Sequence, residues 1–150
     1  MAVSGSGRLE LERAIFRTPG VRTVVITTSD GRDALAREGA TKLPSVQIQA
    51  LDSSSGTITP GAILRLLYTQ LGVRRLLHEG GPMLFGQFLA AEAVDEFFLT
   101  LSPQIAGRKA DAVRPGLVQG MEFMPADAPW FQLLSVKQMT DHLYLRYQRA

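Results

Sequence analysis

From residue 21 the chain alternates short apolar runs with stretches of helical spacing, each closed by glycine, proline or small polar residues. "VRTVVITT" (21–28) is apolar and β-branched and is closed by the turn-like "SDG", the pattern of a buried strand. "DALAREGA" follows with helix formers and predicts a helix with Gly39 as its C-cap. "SVQIQAL" (45–51) alternates and predicts a second strand. "DSSSGTITPG" is a loop in which Thr59 is the N-cap candidate and Pro60 the first helical residue of a helix that runs through 61–72 and ends at Gly72. "VRRLLHE" (73–79) predicts a strand, "PMLFGQFLAAEA" (82–93) a helix with Leu84, Phe85, Phe88 and Leu89 on one face, and "VDEFFLTLSP" (94–103) another strand. "FQLLSVKQM" (131–139) and "HLYLRYQR" (142–149), joined through "TD", predict a closing antiparallel pair.

Strands alternating with helices imply an α/β fold, a doubly wound and mostly parallel sheet, here finished by an antiparallel C-terminal pair. With 150 residues, 45% of them hydrophobic, residues 1–150 are expected to form a single domain. The sequence has no run of about 18 apolar residues, and its first residues lack a signal-peptide pattern, so a cytoplasmic protein is expected. The absence of cysteine excludes disulfides, thiolate zinc sites and cysteine nucleophiles, and with two histidines no metal site is expected. Sixteen basic residues nearly balance 14 acidic ones, and no basic block exceeds Arg74-Arg75, which argues against nucleic acid as a partner and leaves small anionic ligands open.

The segment "HEGGP" (78–82) stands between an expected strand and an expected helix. Ligands of parallel sheets collect beyond the carboxyl ends of strands, and a helix start offers unpaired N–H groups and a positive dipole. Gly80 and Gly81 would let an anion approach the backbone and would tolerate positive φ, while Pro82 gives up an N–H the helix does not need. The same Gly-Gly-Pro also suits a plain tight turn. Glu79 reads as a site residue or as a hydrogen-bond partner of a nearby turn, and His78 as a packed or exposed neighbour rather than a base.

"SGSGR" (4–8) fails as a dinucleotide fingerprint, because Glu10 stands at the third glycine position, and no phosphate-loop motif occurs elsewhere. Ser4, Ser6 and Arg8 nevertheless form a short polar turn able to hold a phosphate, against the alternative of ordinary loop polarity.

The segment "LLHEGGPMLFGQFLAAEAVDEFFLTLSPQIAGR", with "AVSGSGRLEL", "AIF", "VVITT" and the closing "DHLYLRYQ", resembles the riboflavin-biosynthesis pyrimidine reductases. These are the RibD C-terminal domains, within the dihydrofolate-reductase-like fold. The resemblance covers nearly the whole chain. It implies an NADPH-dependent oxidoreductase acting on a small pyrimidine substrate of the 5-amino-6-(5-phosphoribosylamino)uracil type, with dihydrofolate or another pterin as the alternative. A non-catalytic nucleotide-binding or oligomerisation module is the reading from another class.

By the same resemblance Gly80, Gly81 and the amides of Met83 and Leu84 would meet the cofactor's pyrophosphate, and Thr27 and Thr28 would lie near its adenosine. Ser4, Ser6 and Arg8 would handle the adenosine ribose and its 2′-phosphate, and Glu79 the substrate ring. Zinc deaminase activity, found in bifunctional relatives, is set aside for want of cysteine. The family's first strand, with its S-x-D-G-like motif, has no counterpart before Ser4. An N-terminally truncated domain is therefore expected, one that binds nucleotide weakly, turns over no pyrimidine alone, and self-associates as a homodimer or higher oligomer.

Overall fold

Valine, isoleucine and threonine fill the strand Thr23–Thr27, and four of its five residues are buried. Such continuous burial belongs to a central strand covered on both faces. The computed structural model describes residues 1–51, 57–107, 109, 111 and 115–150. Residues 52–56 of the expected loop lie outside that set. Two compact units divide the chain, residues 1–74 and residues 75–150.

In the first unit β1 (Ala2–Val3), β2 (Thr23–Thr27) and β3 (Val46–Ala50) form a parallel sheet in the order β1-β2-β3. The short helix α1 (Ala14–Arg17) precedes β2, and α2 (Ser29–Arg37) follows it. Phe16, Val25, Leu35 and Ala40 form the core, flanked by Ala2, Leu9, Leu11, Leu43, Val46 and Ile48. Fully burying a side chain such as Leu35 is worth about 1.5–3 kcal/mol.

The expected "SDG" turn is instead the first turn of α2. Thr28 caps it, its Oγ1 accepting the Gly31 N–H at 3.1 Å. A threonine acceptor three residues ahead outweighs the turn tendency of Asp-Gly. Gly39 has a φ of 85°, the left-handed backbone expected just past the helix end. α3 (Pro60–Leu71) follows the sequence closely: Thr59 accepts from Ala62 N–H, Pro60 opens the helix, and Gly72 ends it at a φ of 66°. Its buried face is Ile63, Leu66 and Leu67.

In the second unit α4 (Pro82–Ala90) leads to β4 (Glu96–Leu101), and β5 (Phe131–Met139) and β6 (His142–Arg149) complete an antiparallel sheet in the order β4-β6-β5. The closing pair is thus a three-stranded sheet, because β6 also takes β4 as a neighbour. A register shift between Leu133 and Ser135 interrupts the β5–β6 ladder.

One expected strand is corrected. Residues 73–79 join neither sheet, and Leu77 is 75% exposed. An apolar run supplies strand propensity, but a strand exists only where a neighbour closes its hydrogen bonds.

Candidate functional site

The turn at residues 4–7 closes through the Gly7 N–H donating to the Ser4 carbonyl at 3.3 Å, with Gly7 at a φ of 70°. Two adjacent threonines of the β2 end hold it down. Thr27 Oγ1 donates to the Ser4 carbonyl at 2.7 Å, and Thr28 Oγ1 donates to the Gly5 carbonyl at 2.8 Å. Thr27 is fully buried and Thr28 nearly so, and both hydroxyls are committed within the protein. They shape the turn; Thr27 offers no surface to an adenosine. Ser6 and Arg8 are exposed above it, and the Ser6 hydroxyl accepts the Arg8 N–H at 3.4 Å. Arg8 makes no ion pair among the described residues.

The second constellation is the turn before α4. Gly81 is the N-cap and has no side chain to cap with, and Pro82 at the first position has no N–H. The first-turn amides at Met83 and Leu84 therefore face outward without a side-chain acceptor, on the positive end of the helix dipole. α2, whose Thr28 caps it, is closed in just this respect.

The two glycines differ in purpose. A Cβ on Gly81 would meet nothing within 4 Å, so the space over the helix start is open. On Gly80 it would sit 3.0 Å from His78 Cε1, 3.1 Å from His78 Nε2 and 3.2 Å from Leu84 Cδ2. Neither glycine has positive φ, so the conformational reason expected from the sequence gives way, at Gly80 alone, to a steric one.

Glu79 is exposed. His78 packs against the α4 rings, 5.8 Å from Phe85 and 4.9 Å from Phe88 between centroids. Burial holds its imidazole below the ordinary histidine range, opposed in part by a backbone hydrogen bond. Met83 is 52% exposed, and its thioether lies where a Cβ on Gly120 would go.

Sequence reasoning missed the segment that braces α4. Gly86 is buried, and a Cβ there would approach Val118 Cγ1 to 3.0 Å and the Gln119 carbonyl oxygen to 3.1 Å. Gln119 N–H also donates to the Pro82 carbonyl at 3.2 Å. A glycine inside an otherwise strong helical pattern was the available signal. Among the described residues no group of three or more histidines and acids is placed to hold a metal, and no helix is long and apolar enough to cross a membrane.

The parallel sheet, the antiparallel C-terminal strands and the uncapped helix after a glycine turn define an α/β reductase-type fold of the dihydrofolate-reductase-like class. The RibD C-terminal domain model matches residues 2–145, and the chain belongs to that family.

Solved structures agree on the fold. The chain is similar to Acinetobacter baumannii RibD at 22% identity and a TM-score of 0.74, covering 99% of this chain and 36% of that one. A pyrimidine reductase-like protein from Corynebacterium diphtheriae gives 19% identity and a TM-score of 0.74, covering 99% of this chain and 59% of that one. The Thermotoga maritima diaminohydroxyphosphoribosylaminopyrimidine deaminase/5-amino-6-(5-phosphoribosylamino)uracil reductase gives 23% identity and a TM-score of 0.71, covering 99% and 36%. The chain thus spans about a third to three-fifths of the length of these proteins. Among curated protein sequences none matches.

Proposed function

We propose that the chain serves NADPH-dependent reduction of a pyrimidine intermediate of riboflavin biosynthesis, of the 5-amino-6-(5-phosphoribosylamino)uracil type. The observation that carries this reading is the start of α4, where no side chain caps the helix and a Cβ on the N-cap Gly81 would meet nothing within 4 Å. A pyrophosphate fits such a start by hydrogen bonding and by charge. The cofactor would supply a hydride to the ring. The chain's own residues would bind and orient: the α4 amides at the pyrophosphate, Ser4, Ser6 and Arg8 at a ribose 2′-phosphate, and Glu79 at the substrate ring. Arg8, exposed and without an ion-pair partner among the described residues, suits the 2′-phosphate.

Gly81→Asp tests this directly. The new side chain has room, so the fold should survive, as circular dichroism would show, while a carboxylate at the helix start repels the anion. NADPH affinity, followed by nucleotide fluorescence, should fall about tenfold or more. Unchanged affinity in a folded variant would remove the nucleotide site from α4. Loss of the NADPH absorbance band on adding a ribosylaminopyrimidine would establish the reaction.

Self-association as a homodimer belongs to the same reading. It is supported by the apolar side chains that β5 leaves more than half exposed, Leu133, Val136 and Met139. A single monomer-sized species in sedimentation at high concentration would count against it.

A further inference from the structure

Among the described residues, His78 Nε2 is the one buried side-chain nitrogen or oxygen with no hydrogen-bond partner. The Cε1–Nε2 edge of the ring occupies the space that a Cβ on residue 80 would need. On its other side the imidazole rests on Phe85 and Phe88 of α4. A histidine seated this way ties the turn to the helix it introduces.

We infer that His78 is a positioning residue for the α4 start: its neutral imidazole is the wedge that holds the Gly80–Gly81 backbone where the Met83 and Leu84 amides face an anion. The ligand part of this inference rests on the nucleotide reading above; the wedge itself rests on packing alone. The groups placed against the ring, Leu84, Phe85 and Phe88 of α4 with Gly80 of the turn, carry no titratable side chain, and the chain neighbour Glu79 is exposed.

A proton on Nε2 would therefore be buried with no acceptor, a costly arrangement that is relieved when the ring leaves its seat. Burial already holds the group below its ordinary value of 6.5. The wedge is thus intact at neutral pH and withdrawn in acid, and the turn loses its support as pH falls. Anion binding should weaken in the same direction, opposite to a histidine that itself grips the phosphate.

The chain has only two histidines, so proton NMR of the ring Cε1–H groups reads His78 directly, with His142→Gln assigning the pair. In the free protein His78 should titrate below 6.5, and Gly80→Ala, whose Cβ displaces the ring, should raise that midpoint. NADPH should lower it further. NADPH affinity of the unaltered protein should drop about threefold or more by one pH unit below the midpoint that NMR reads for His78, as the seated fraction falls, and His78→Leu should flatten that profile.

An NADPH-induced rise in the His78 midpoint would overturn the inference, since it would place the ring against the phosphate. A Gly80→Ala protein with an unchanged midpoint would overturn the wedge. Failure to bind NADPH at any pH would instead sink the nucleotide reading, and the wedge would then stand or fall on the Gly80→Ala comparison.

Discussion

Gly7 and Gly31 touch backbone to backbone: a Cβ on Gly7 would lie 2.7 Å from the Gly31 carbonyl carbon and closer still to its oxygen. The reverse holds too, for a Cβ on Gly31 would come within 2.6 Å of the Gly5 carbonyl oxygen and closer to Thr27 Oγ1. This contact seats the 4–7 turn on the first turn of α2.

Alanine at either glycine should therefore be severe. Gly31→Ala must displace the Thr27 hydroxyl and the backbone of the 4–7 turn, and Gly7→Ala adds the strain of a φ of 70°. Each should cost about 3 kcal/mol or more in denaturant unfolding, at the damaging end of single substitutions. A loss under about 1 kcal/mol would mean that the turn lifts away freely.

The threonine clamp gives a milder case. Thr28→Val keeps the shape but removes both the cap on Gly31 N–H and the bond to the Gly5 carbonyl. The expected loss is about 1–3 kcal/mol. Faster amide exchange at Gly31 in the variant would locate the effect at the start of α2.

Arg8→Ala should separate the two nicotinamide cofactors. If its guanidinium meets the 2′-phosphate, NADPH binding weakens by about 1–3 kcal/mol while NADH binding barely changes. Equal losses for both would assign Arg8 to a group they share.

Acid dependence should appear at the antiparallel sheet. Arg146 forms a two-point pair with Glu96, at 2.9 Å from Nε and 2.7 Å from Nη2, and these hydrogen bonds hold the Glu96 carboxyl below its ordinary 4.5. A lowered carboxyl pKa stabilises the fold above the ordinary value, and that contribution fades as pH falls through the lowered one. Glu96→Gln should melt slightly below the parent at pH 7, with the gap closing below about pH 4. A gap that persists in acid would mean the glutamate acts by packing rather than charge.

Local chemistry determined much of this protein by itself. The β-branched run of β2, the Thr59-Pro60 start and Gly72 end of α3, the left-handed Gly39 and the apolar β5 and β6 are set by residues within a few positions of one another. The order of "EGGP", helix and strand carried the family in the same way.

Tertiary structure decided what depends on distant neighbours. Whether 73–79 pairs, why β6 lies between β4 and β5, and why Gly7 must meet Gly31 are questions about segments far apart in the chain. Thr27 and Thr28 show the difference most plainly: the sequence presents two hydroxyls at a strand end, and only the arrival of the 4–7 turn turns them inward as its clamps. A periodic pattern records which side chains seek burial, but hydrogen bonds and steric contacts are satisfied by whichever backbone the fold brings alongside.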